Sequence, residues 1–156
     1  MCAPIPARLA PQKKGGQAEQ ALGRSRGGFS TKIHITVDGL GYPLRLQLTA
    51  GQASDIGQAA ALIDGFVFDN LIADKGYAAQ YFVDQVNEAG AQPVIPPHQR
   101  ALVKRDYDRW LYRERHLIEC FINKIKHFRR VFARYDKLAS RFLAFVQFVS
   151  VLIWLR

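Results

Sequence analysis

The spacing of apolar residues changes period several times along this chain, and each change marks an element boundary. Residues 32–37, KIHITV, alternate polar and apolar with period two, the pattern of a strand that buries one face. Leu44, Leu46 and Leu48 alternate in the same way, and Asp38-Gly39-Leu40-Gly41 between the two runs has turn chemistry. Residues 32–48 therefore predict a β-hairpin. Ser54-Asp55 can cap a helix that runs to about residue 64 and closes at Gly65. Residues 66–73, FVFDNLIA, predict an apolar strand ending at Asp74, and Lys75-Gly76-Tyr77 breaks it sharply. A second helix is predicted over 78–89 with Gly90 at its end, then a short strand over 92–95 stopped by Pro96-Pro97.

The longest periodic segment is 106–132, DYDRWLYRERHLIECFINKIKHFRRVF. Read as one helix at about 100° per residue, it splits into two faces. Leu117, Ile118, Phe121, Ile125, Phe128 and Phe132 gather on one, which predicts burial. Tyr112, Arg115, Glu119, Asn123, Lys126 and Arg130 share the other, where a single carboxylate stands among cations. An i,i+4 pair such as Arg115–Glu119 is also ordinary helix support, so taken alone this face equally suits a solvated surface. Cys120, beside the apolar face, reads as a small buried residue. Residues 142–155 are nearly all apolar, but the run is shorter than the roughly 20 residues of a membrane span. It predicts a packing helix and no membrane partner.

Residues 1–28 differ from the rest. They hold Pro4, Pro6 and Pro11, several glycines, and no carboxylate before Glu19. This composition predicts an irregular basic segment over 1–28 and an ordered domain over 29–156. A chain of 156 residues, 49 % hydrophobic, is long enough for one domain with a core. Its 22 Lys and Arg against 13 Asp and Glu give a net charge of +9, which favours polyanions, nucleic acid ahead of membrane surfaces. Cys2 and Cys120 make neither a zinc spacing nor a disulfide framework, and no apolar leader opens the chain, which fits a cytoplasmic location. His34, mid-strand, is expected to be a surface or hydrogen-bonded histidine rather than a ligand.

Strands alternating with helices imply parallel pairing, and sites in such sheets form beyond the carboxyl ends of strands. Asp74 stands at such an end. It is a metal-ligand candidate or an ordinary turn aspartate before glycine, and its own motif does not decide between them.

Several stretches together carry a resemblance: GRSRGGFSTKIHITVDGLGYPL (23–44), LTAGQASD (48–55), ADKGY (73–77), IPPHQR (95–100) and RYDK (134–137). The most specific is Y-x2-R-x3-E-x6-K, met by Tyr112, Arg115, Glu119 and Lys126. On these residues, from about residue 15 to the C-terminus, the chain resembles the DDE transposases of bacterial insertion sequences, of the IS-five type. The resemblance implies an α/β, ribonuclease-H-like fold that cleaves and transfers DNA strands with Mg²⁺ (or Mn²⁺). Such chemistry resembles two-metal catalysis, in which paired ions activate the nucleophile and stabilise the leaving oxygen. The resemblance also implies Asp74 and Glu119 as the second and third catalytic acids and metal ligands. It sets Tyr112, Arg115 and Lys126 against DNA, with Arg130 on the same stripe. The implied partners are the terminal inverted repeats and target DNA, with an upstream reading-frame product or a second copy as candidate protein partners.

One feature departs from the family pattern. The family's first aspartate lies upstream of GRSRGG, and residues 1–16 contain no Asp or Glu. Asp38, in the hairpin turn, is not a substitute. The expected fold is therefore incomplete, an antiparallel hairpin plus parallel strands and C-terminal helices without the first central strand. Its sheet should be split or left with an unpaired edge, and its catalytic centre should be short of one acid and inactive alone. Such a chain is either the downstream frame of a frameshifted element or a decayed copy. The alternative is a non-catalytic DNA-binding fragment that occupies element ends and inhibits transposition.

Overall fold

A computed structural model describes residues 2–6, 20–25, 28–101 and 104–155. The predicted hairpin forms from β3 (Gly28–Val37) and β4 (Pro43–Ala50), in register from Thr31↔Ala50 to Thr36↔Arg45. Asp38 builds its turn: the carboxylate accepts from the backbone N–H groups of Leu40 and Tyr42, both at 2.9 Å.

The opening segment is not wholly irregular. β1 (Cys2–Pro6) lies antiparallel along the other edge of β3, and β2 (Gly23–Ser25) pairs antiparallel with the start of β3 on the same edge as β4. Proline density argued against a strand there, but β1 pairs only with β3 and is therefore an edge strand. Pro4 and Pro6, two residues apart, turn their donorless nitrogens to the same side, which an edge tolerates. The rest of that segment, Arg26 included, lies outside the described residues.

β3 is buried on both faces, and this organises the fold. Ile33 and Ile35 on one face pack with Ile118, Phe121 and Ile125 of α3 (His116–Lys126) and with Phe142, Val146 and Val149 of α5 (Ala139–Trp154). The other face is polar and hydrogen-bonded at most positions, with Ser30 Oγ and His34 Nδ1 buried without a partner. Lys32 donates to Asp55 at 2.7 Å and to the Ala53 carbonyl at 2.8 Å, and Thr36 donates to the Leu62 carbonyl at 2.9 Å. Because its carboxylate is drawn to Lys32, Asp55 makes no capping bond. The predicted helix accordingly opens as a 3-10 turn over Ile56–Gln58, and α1 covers only Ala59–Ile63.

His34 lies on this polar face, 0 % exposed, so it is not a surface residue. Its Nε2 pairs with the Thr49 hydroxyl at 2.7 Å. Burial lowers its pKa to about 4, an effect that nearby Asp55 opposes only in part. A ring held neutral in the fold stabilises fully above the free value near 6.5 and loses that contribution as pH falls towards 4. Lowering the pH from about 7 to about 4.5 is expected to remove about 2–3 kcal/mol through this ring. Urea unfolding at the two pH values, in the parent and in His34→Gln, measures it. A variant as acid-sensitive as the parent would refute the assignment.

The second sheet is small and separate: β5 (Asn70–Ile72) pairs in parallel with β6 (Gln92–Val94). Its own core joins Phe82, Val83 and Val86 of α2 (Gln80–Glu88) to Tyr77, Ala59 and Ile95. The described strands form two sheets, one of the two outcomes expected above. The chain is thus a mixed α/β structure with an antiparallel sheet, a parallel pair and C-terminal helices.

The segment 106–132 is not one helix. Asp108 accepts from the N–H groups of Trp110 and Leu111, both at 2.8 Å, and starts a 3-10 turn over Leu111–Arg115 that leads into α3. α3 ends at Lys126; Phe128 is extended, and α4 (Arg129–Phe132) begins anew. The bend lets Val131 reach the core while Phe132, expected inside, is 51 % exposed. Cys120, also expected inside, is exposed. It lies about 150° around the helix from the centre of the buried stripe of Ile118, Phe121, Ile122 and Ile125. Among the described residues no helix is long and apolar enough to cross a membrane.

Candidate active site

β5 delivers the chain to Asp74, whose backbone is still extended (φ −68°, ψ 158°), and a 3-10 turn over Lys75–Tyr77 follows at once. The Asp74 carboxylate accepts from the Gly76 N–H at 3.2 Å. This fixes the side chain at the end of the strand, half-buried. Asp55, which holds Lys32 of β3, lies near this turn: a Cβ placed at Gly76 would stand 3.7 Å from Asp55 Oδ2.

Tyr112 is the point where the predicted residues meet. The 3-10 turn that carries it contacts β5. Burial raises the phenol's pKa above its ordinary value, Arg115 opposes the shift, and the charges of Asp74, Tyr107 and Glu119 add to it. Both predicted acids are thus within electrostatic reach of one ring, although they belong to different elements. The raised pKa keeps the phenol protonated near neutral pH, so it is a hydrogen-bond donor there. Arg115 stands 5.7 Å over the same ring and pairs with Glu119 at 2.7 Å. That pair is partly exposed, at 27 % and 46 %, and such pairs contribute at most about 1 kcal/mol. Arg115 can therefore exchange the carboxylate for a phosphate oxygen at little cost.

Lys126, half-buried, ends the same helix that carries Glu119. Arg130 stands apart from it. It belongs to α4, beyond the bend, pairs with Asp136 at 2.8 Å and stacks 4.9 Å over Phe145. The continuous stripe from Tyr112 to Arg130 therefore does not exist as one helix face.

Among the described residues no three His, Cys, Asp or Glu side chains group as a metal site. Asp74 caps its own turn and Glu119 holds Arg115, and these two carboxylates do not make up the donor set of a two-ion centre. The residues present do not fit a pair of divalent ions.

The family model for the transposase DDE domain matches residues 5–153. The chain belongs to the transposase DDE domain family. It is 38 % identical over 132 residues to a Brucella ovis protein named "Putative transposase for insertion sequence element IS6501", across 82 % of this chain and 100 % of that relative. No solved structure matches. Within this transposase domain, sequence reasoning missed two features. One is the Lys32–Asp55 ion pair, because Asp55 read as a helix cap. The other is Arg134 of the RYDK stretch, which is 1 % exposed. Its burial had one visible signal, an arginine between the apolar runs around Val131 and Phe142.

Proposed function

We propose that this transposase domain acts on DNA at insertion-sequence ends in a ribonuclease-H-like arrangement. In this reading Asp74 and Glu119 are two of three catalytic acids, and cleavage requires a third carboxylate supplied to the chain. The observation that supports it is geometric: the 3-10 turn carrying Tyr112 and Arg115 packs against β5, which leads to Asp74, and Arg115 pairs with Glu119 at 2.7 Å. The protonated Tyr112 donates to a phosphate oxygen, Arg115 leaves Glu119 to hold a second oxygen, and Lys126 adds charge along the backbone. The test is cleavage of a duplex carrying the terminal repeat, with Mg²⁺, by the chain alone and by the chain extended at its N-terminus with an aspartate-bearing strand. Cleavage is expected only from the extended form. Failure of both forms would overturn the reading.

A second reading, that the chain binds element ends without cutting them, rests on its net charge of +9 and on the lack of Asp or Glu in residues 1–16. Both readings predict that affinity falls steeply with salt. Lys126→Ala is expected to weaken binding similarly for all sequences and to reduce the salt slope by about one. Fluorescence anisotropy over a salt series checks this; an unchanged slope would remove Lys126 from the interface.

A further inference from the structure

α5 is apolar on both sides, and among the described residues only one side is covered. Phe142, Val146 and Val149 belong to the core. On the opposite side of the helix, Ala144, Phe148, Val151 and Leu155 share one face, and all four are exposed. Phe148 is 58 % exposed, Val151 53 % and Leu155 79 %. No charged residue falls within 142–155. A helix that is apolar all round is ordinarily buried all round, in a core or in a membrane. No described helix is long and apolar enough to cross a membrane. The spacing of the outer face shows what shape fits it. Its four residues follow steps of four, three and four, the repeat by which one helix packs along another.

We propose that this face docks on α5 of a second copy of the chain, antiparallel about a two-fold axis that passes between Val149 and Ser150. Ala144 then faces the second copy's Leu155, and Phe148 faces its Val151, so each layer sets a smaller side chain against a larger one. A parallel pair would stack Phe148 on Phe148 and Ala144 on Ala144, leaving one layer crowded and the next one empty. Charge selects the same direction. Arg141 is an exposed cation in the first turn of α5. Antiparallel packing carries it to the carbonyl end of the other helix, whereas parallel packing sets two arginines side by side. The exposed parts of the face amount to roughly 400 Å² per copy, a patch size that on a monomer is often functional. Two copies bury roughly 800 Å², which suits a weak, reversible dimer. The inference rests on helix packing and goes beyond the DNA chemistry proposed above.

The test reads mass in solution without DNA, so its outcome is separate from any cleavage or binding result. The full chain is kept under reductant, because Cys120 is exposed and could cross-link. Sedimentation velocity follows it from about 1 to 500 µM, the range of a weak contact. The mass is expected to rise from one copy to two. Phe148→Glu and Val151→Glu should each raise the dissociation constant about tenfold or more. Both should leave the urea midpoint at low concentration near the parent's, because each side chain is already half exposed. Orientation is read separately, by oxidation in a background carrying Cys2→Ser and Cys120→Ser. Ala144→Cys and Leu155→Cys together should give a covalent dimer, and either alone should not. A parent that stays monomeric throughout overturns the proposal, as does a dimer indifferent to both glutamate variants. Cross-linking by the single cysteine variants overturns the antiparallel arrangement. A monomer that co-sediments with phosphatidylcholine vesicles overturns the proposal in favour of a lipid surface.

Discussion

Asp74→Asn and Glu119→Gln are each expected to lower end cleavage by the strand-completed chain about a hundredfold or more, the scale lost when a preorganised group is removed from a reacting centre. Binding to the terminal repeat should change little or tighten slightly, because each substitution removes a negative charge beside the phosphates. The two residues reach the site differently. Asp74 is held at the end of β5 by its bond to Gly76, and asparagine can keep that bond through its carbonyl oxygen. A loss in Asp74→Asn therefore reports charge rather than a collapsed turn. Glu119→Gln frees Arg115, whose pairing with it is partly exposed and contributes little to stability. Single-turnover cleavage and anisotropy on the same preparations separate the outcomes. Unchanged cleavage in either variant would remove that acid from the mechanism.

Arg134→Met is expected to cost about 3–5 kcal/mol, because it strips a buried cation from partners that have no replacement. Nε donates to the Asp136 carbonyl at 2.9 Å, and the two Nη groups reach the carbonyls of Ala21 at 3.3 Å and Lys137 at 3.1 Å. A further bond goes to the Thr31 hydroxyl, which itself donates to Ala21. The guanidinium also lies 5.2 Å over the Phe142 ring. Burial pulls its pKa down and Asp136 partly restores it, so the charge is kept where water cannot solvate it. Arg134→Lys retains the charge but not the planar fork, and should lose most of the same stability. For a domain of this size the thermal midpoint should fall by roughly 10 °C in Arg134→Met. A drop of only a degree or two would show that Arg134 is not what ties residues 20–25 to the C-terminal helices.

Much of the fold was legible locally. The hairpin followed from period-two alternation and turn residues, and the glycines at 65 and 90 adopt the positive φ that closes a helix, +75° and +79°. α3 was legible in its buried stripe. The bend at Phe128 was not, because the apolar period runs through it without a break. β1 was hidden for the opposite reason. Its prolines oppose a strand in general, and only its position at an edge makes them acceptable. For His34 the sequence left a surface and a hydrogen-bonded histidine both open; the structure shows the second, because the face an alternating strand would leave wet is covered by α1 and the loop before it.

The candidate site divides along the same line. The sequence by itself carried the family resemblance and, through it, the expectation of Asp74 and Glu119 as acids beside a tyrosine, arginine and lysine at fixed spacing, because side-chain identity and separation are local properties of the chain. It also determined that residues 1–16 supply no carboxylate. Only the tertiary structure decided that the turn carrying Tyr112 and Arg115 packs against β5, that Arg130 is already engaged by Asp136, and that Asp55 pairs with Lys32 instead of capping a helix. These features depend on which backbone edges are filled and which charges lie close after folding. Both depend on contacts between residues far apart in the chain, which no local period records.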